Sequence, residues 1–181
     1  MKNFITLFVF FLSIQGFSQD KPAYQLFNKE GKKAKYEKML KELSTADVVL
    51  FGELHDNPIC HWLELEVAKD IYATKKENTV LGAEMYESDN QLILDEYLSG
   101  LIMKKHFTTE AKMWNNNATD YQPLVDFAKE NNLKFVAANV PRRYANLVAR
   151  KGLEELENLN EEQKSYIAPL PIKVDLDLHA Y

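Results

Sequence analysis

Three short apolar runs without polar alternation, Val48-Val49-Leu50-Phe51, Val80-Leu81-Gly82-Ala83 and Phe135-Val136-Ala137-Ala138, constrain the fold more than any other feature of the sequence. A strand with one face in water alternates apolar and polar residues, whereas a continuous run fits a strand covered on both faces, as in a parallel sheet. The segments between the runs have helical period. Asn57-Pro58 reads as an N-cap and first helical residue, and Leu63, Val67 and Ile71 recur every four residues on one face. Glu64 and Glu66 sit early in that helix and Lys75 and Lys76 late, as the helix dipole favours. Ser88 with Gln91 three residues on has the form of a capping box, ahead of Leu94, Tyr97 and Leu98 and a stop at Gly100. A further helix is expected from Asp120, with Leu124, Phe127 and Ala128 inward and Asn131-Asn132 closing it. The first run, the helix and the second run make a βαβ unit of about thirty residues. The stretch from Leu101 to Tyr121 exceeds what one crossover helix needs and predicts a small helical insertion. The expected class is α/β: a mostly parallel sheet flanked by helices, with that insertion.

The first residues have the layout of a secretory signal peptide: Lys2, an apolar run from Phe4 to Ile14, then small and polar residues to Gln19. A run of about ten residues is too short for the ~20 that cross a bilayer as a helix. The expectation is a signal peptide over 1–19, cleaved near Gln19, and one α/β domain over 20–181 exported to the periplasm or beyond. The chain has one cysteine, Cys60, so it can form no internal disulfide and offers no lipid-modified cysteine at the cleavage junction. The formal charge of -5 is spread over interspersed acids and bases. No basic stripe of the kind nucleic acid requires is present, so nucleic acid is not an expected partner. The run from Ile172 to Tyr181 ends without a cap or polar tail, so the C-terminal part is expected to be incomplete.

In an open α/β sheet, ligands bind beyond the carboxyl ends of the strands. There the three runs present Gly52-Glu53-Leu54-His55-Asp56, Glu84-Met85-Tyr86-Glu87 and Asn139-Val140-Pro141-Arg142-Arg143-Tyr144. Glu53 and His55, two apart on extended chain, point the same way, and Glu84 on the next strand can reach them. Such a cluster suits a divalent metal or general acid-base catalysis, because crowded carboxylates push their pKa values apart. The alternative is a structural network in which Glu53 accepts backbone N–H groups and His55 caps the next helix. Gly52 suggests a close backbone approach. His61, in the first turn of the helix, reads as a surface residue. Arg142 and Arg143 place positive charge at a helix start, which the dipole disfavours unless an anion sits there or one arginine pairs with Glu84 or Glu53. Tyr86 and Tyr144 are rim candidates, and phenolate is a haem-iron ligand. The alternative for each is packing. Met103, His106, Phe107, Met113, Trp114 and Tyr121 offer a cover for a flat ligand or the core of a helical insertion, and Cys60 reads as a small packed residue.

Val49 to Pro58, Leu81 to Glu87 and Ala138 to Ala145 resemble, in order, successive motifs of the ChaN-like haem-binding proteins. These belong to a superfamily similar to erythromycin esterases and Tiki-type metalloproteases, and the resemblance runs from about Ala46 to Gly152. It implies an α/β sheet flanked by helices, a homodimer enclosing haem or a related porphyrin, and a tyrosine as axial ligand, with iron acquisition as the role. It places Tyr144, Arg142, Arg143 and Tyr86 as candidate haem contacts. Related enzymes use glutamates and histidines corresponding to Glu53, His55 and Glu84, which makes a metal-dependent or Glu/His-dependent hydrolase the alternative activity. Many relatives are lipoproteins, so peripheral membrane association stays open although the junction lacks a cysteine.

Overall fold

The computed structural model describes residues 21–175 and 177–178. The expected signal peptide and its cleavage point lie outside these residues. A hairpin of two-residue strands pairs β1 (Leu26–Phe27) with β2 (Lys33–Ala34) antiparallel, and α1 (Tyr36–Leu43) follows. Then come α2 (Pro58–Lys75), β3 (Val80–Glu87), α3 (Gln91–Leu98), α4 (Lys104–Glu110), α5 (Gln122–Glu130), β4 (Lys134–Asn139), α6 (Arg142–Lys151) and α7 (Glu161–Lys164). The architecture is α/β, with β3 and β4 parallel and paired from Val80↔Lys134 through Ala83↔Ala137.

Helix α2 starts where the residues require. The Asn57 side chain accepts from Ile59 N at 3.0 Å and Cys60 N at 3.2 Å, satisfying two N–H groups that the helix itself leaves free, and Pro58 has no N–H to lose. Ser88, by contrast, does not form the expected capping box. Its Oγ donates to Tyr166 O, and Gln91 turns away to bridge Phe135 O and Ala137 N of β4. Those β4 groups lie beside a helix rather than another strand, so a side chain meets them in the ladder's place. Gly100, at φ +80°, stops the chain after α3, and Asn132, at φ +53°, closes α5 as expected.

The first apolar run is not a strand. Residues 48–51 pair with no neighbour, and Leu50 is 92 % exposed. The segment from Phe51 to His55 instead faces β3 across a cavity of about 250 Å³ lined by Gly52, Glu53, Glu64, Gly82, Glu84 and Met85. The sheet is also covered on one face only: Ala83, Met85, Phe135 and Ala137 point into the core, while Val80, Glu84, Val136 and Ala138 are exposed on the other. The core fills the space between the covered face and α3, α4 and α5, with Tyr97 and Phe107 stacked at 4.7 Å and Leu94, Val125 and Ala128 closed to solvent. The expected insertion is helix α4 followed by a π-helical turn at Asn117–Tyr121 that leads into α5. No helix among the described residues is long and apolar enough to cross a membrane.

Candidate functional site

Glu53 is the hub of the first cluster. Its carboxylate is 7 % exposed, and Oε1 lies 2.6 Å from His55 Nδ1 and accepts from Tyr121 Oη at 3.0 Å. Glu53 therefore takes side-chain donors rather than the backbone groups of the structural alternative, and His55 caps no helix. The other oxygen, Oε2, faces His61 Nδ1 at 2.9 Å, but the two atoms do not meet in hydrogen-bonding geometry. His61 is not a surface residue: its side chain is 4 % exposed. The first turn of α2 carries it inward because the Asn57 cap fixes where that helix begins. On its far side Nε2 meets His55 O at 3.1 Å and lies 3.6 Å from Asp120 Oδ2. Asn116 donates to the same carbonyl at 2.7 Å and to Asp120 at 2.8 Å, so the π-helical turn braces the loop after Gly52. Gly52 itself makes no close approach, since a Cβ there would meet nothing within 4 Å.

His55 is 54 % exposed at the mouth, edge-on to Trp114 at 4.8 Å. Its hydrogen bond to Glu53 raises its pKa against the opposing effect of desolvation, and the charges of Glu53, Glu84 and Asp56 add to the rise. Glu84 faces the same cavity from β3. Glu64, one turn along α2 from His61, also lines it, and burial followed by the charge of Glu53 pushes its carboxyl up. Burial and the Glu53 carboxylate carry the Tyr121 phenol up to about 12, against a lowering hydrogen bond with Asn116. The cluster thus joins Glu53, His55 and Glu84, as the spacing predicts, and adds His61, Glu64, Asp120 and Tyr121.

A second cluster forms where β4 runs into α6. Pro141 precedes the helix, and Arg143 caps the site by pairing with Asp89, to which Lys112 Nζ also donates at 3.1 Å. The arginine partner is therefore Asp89, not Glu84 or Glu53. The Arg143 guanidinium lies over the Tyr144 ring at 4.5 Å. Arg142 is exposed and forms no ion pair among the described residues. Tyr86 does not reach this rim. It is 1 % exposed, its ring packs against Phe135, and its hydroxyl donates to Asn117 Oδ1 at 2.7 Å. The cause is a register shift in β3: Ala83 pairs Ala137 but Glu87 pairs Asn139, so extra residues bulge between them and Met85 and Tyr86 both turn inward. The glutamate–histidine and arginine–tyrosine clusters share no hydrogen bond among the described residues.

Residues 39–180 match the family described as haem-binding uptake, Tiki superfamily, ChaN. The chain belongs to the ChaN haem-binding uptake family. Among solved structures it is similar to that described as cofacial heme binding to ChaN of Campylobacter jejuni, at 20 % identity and a TM-score of 0.56. That alignment covers 76 % of this chain and 64 % of the Campylobacter chain, so this chain spans less than two thirds of that relative. No curated protein matches. The ChaN likeness is one of fold, and the three motifs that carry the resemblance supply Glu53, His55, Glu84, Arg142, Arg143 and Tyr144.

Proposed function

We propose that this chain is an exported haem-binding protein that serves iron acquisition, with Tyr144 as the iron ligand and Arg142 and Arg143 on the propionates. Membership of the ChaN family carries the reading. It is supported by an exposed apolar row, Val136, Ala138 and Val140, that runs along β4 to the exposed Arg142. A flat apolar strip ending in a cation has the chemistry of a porphyrin face and its carboxylates. The donor set fits haem: a phenol supplies an oxygen for ferric iron, and guanidinium groups pair with carboxylates. Tyr144 is buried beneath Arg143, so ligation requires that guanidinium to swing off the ring. Bound haem supplies a ferric centre for transport, while the protein binds, orients and shields it. The Campylobacter relative binds haem cofacially. Two copies of this chain meeting over the uncovered sheet face would hold haems in the same way. Titration of the protein with hemin is expected to give a saturable Soret band of the high-spin ferric tyrosinate type, with dimer formation on size exclusion. A titration without saturation, in this chain and in a longer form, removes the reading.

A second reading is hydrolysis by Glu53, His55 and Glu84, with or without a divalent metal. The observation that favours it is the half-exposed His55 held 2.6 Å from Glu53 at the mouth of a cavity that Glu84 lines. There His55 is placed to move a proton and Glu53 to orient its ring. An esterase and peptidase screen decides it: equal activity of the parent and Glu84→Gln in every assay excludes the reading.

A further inference from the structure

We propose that Glu53, His61 and Glu64 form a seat for one divalent first-row transition cation, separate from the haem reading and different from the Glu53–His55–Glu84 set that spacing suggests. The ligand atoms of the three all lie within 4.8 Å of one another. Small side-chain rotations bring that to the ~3.3 Å separation of donors around a four-coordinate zinc.

The protonation pattern points the same way. A carbonyl oxygen only accepts, so the contact with His55 O puts the proton of His61 on Nε2. A ring carrying only that proton directs its Nδ1 lone pair at Glu53 Oε2, and both atoms are buried and without a hydrogen-bond partner. Two lone pairs facing each other 2.9 Å apart are unfavourable unless a proton or a metal cation is shared between them, and the pair lacks hydrogen-bond geometry. Glu53 Oε1 is already held by His55 and Tyr121, which leaves Oε2 as the free ligand. Metal-bound histidines usually give their second N–H to a backbone carbonyl or a carboxylate. His61 has both, His55 O and, farther off, Asp120.

Charge balance agrees. Among the described residues no lysine or arginine forms an ion pair with Glu53, Glu64 or Asp120, so these three acids face only the imidazoles of His55 and His61. One imidazole with two carboxylates suits zinc, manganese or ferrous iron rather than the thiolate-preferring ions. Three protein ligands leave a position open, and Glu53 and Glu64 both border the cavity that Glu84 lines. His61 and Glu64, three apart in α2, are neighbours on one helix face, so the helix that Asn57 caps holds two of the three ligands in register.

The test uses the whole chain, stripped with a chelator, desalted, and titrated with zinc chloride by calorimetry in the absence of hemin. The expected result is saturation at one zinc per chain. His61→Ala and Glu64→Gln should each weaken it by ~100-fold or more, because even outer-shell partners of a metal ligand cost about 10–100-fold. His106→Ala, a change to an exposed histidine on α4, should bind as the parent does. Cobalt loading should give the visible absorption of a four- or five-coordinate ion in the parent and lose it in His61→Ala. Circular dichroism establishes that each variant is folded; if His61→Ala is not, the part-exposed Glu64→Gln decides alone. No saturable zinc binding, parent-like affinity in Glu64→Gln, or loss on Glu84→Gln with none on Glu64→Gln would each overturn the seat.

Discussion

His61 Nδ1 lies 2.9 Å from Glu53 Oε2 although neither side chain is more than a few per cent open to solvent. At that contact the loop after Gly52 meets helix α2, and Tyr121 ties the same carboxylate to the turn before α5. Tyr121→Phe keeps the ring, which lies edge-on to His61, and removes only the hydroxyl that Glu53 accepts from. A hydrogen bond to a charged group contributes about 1.5–3 kcal/mol, so urea unfolding should show a loss near that size. An unchanged midpoint would mean that His55 alone holds Oε1.

Asn57 controls the same geometry from the other side. Its side chain accepts two N–H groups of the first turn of α2, and the turn carries His61 inward. Asn57→Ala should cost about 1 kcal/mol, within the usual range of N-cap losses. Asn57→Asp should retain most of the stability, since a carboxylate caps as well and suits the dipole. Thermal melts of the three proteins check the order.

Asn57-Pro58 is also the place where the sequence was most readable, because a cap followed by proline is a local signal that packing does not need to complete. The strands β3 and β4 were legible for a related reason, as apolar runs long enough to declare themselves. Pairing was not legible. Val48–Phe51 has the same composition as the other two runs, yet it faces β3 across a cavity, and no residue within it encodes that. Tyr86 was misdirected by a rule that holds only for regular extended chain: the bulge after Ala83 reversed its face. His61 and Glu64 carried a usable signal, three apart on the helix that Asn57-Pro58 marks, which could have marked them as one face opposite Glu53. The Arg143–Asp89 pair had no such signal, since its partners are 54 residues apart and meet only through the β3–β4 crossover.

Asp89 carries a pH prediction. Burial acts to raise its carboxyl, but hydrogen bonds from Arg143 and Lys112 outweigh that and hold its pKa below the ordinary 3.8. A carboxyl depressed in the folded state binds protons more readily when unfolded, so its stabilisation is complete above the unfolded value and fades as pH falls through the folded one. Asp89→Asn should therefore lower stability at neutral pH by about 0.5–1 kcal/mol, discounted because Arg143 and Lys112 are half exposed. The difference from the parent should shrink below pH 3.8. Urea midpoints across that range check it, and a gap that stays constant into acid would remove Asp89 as its source.

The tyrosines separate the haem reading from packing. Tyr86 has no open path for its hydroxyl, which donates to the buried Asn117. Tyr86→Phe should leave the hemin spectrum intact and reduce stability by about 1–3 kcal/mol, because Asn117 Oδ1 loses its donor in the core. Tyr144 differs in that its covering group is a half-exposed guanidinium, paired with Asp89, rather than packed core. Arg143 Nη2 reaches its hydroxyl only at 3.5 Å, so the phenol has little structural duty there. Tyr144→Phe should change stability by less than about 1 kcal/mol, while weakening hemin binding and abolishing the tyrosinate bands. Spectra of both variants at equal hemin saturation make the comparison. Loss of the bands in Tyr86→Phe with retention in Tyr144→Phe would reassign the ligand and require the β3 bulge to open. Retention in both would mean that neither phenol meets the iron.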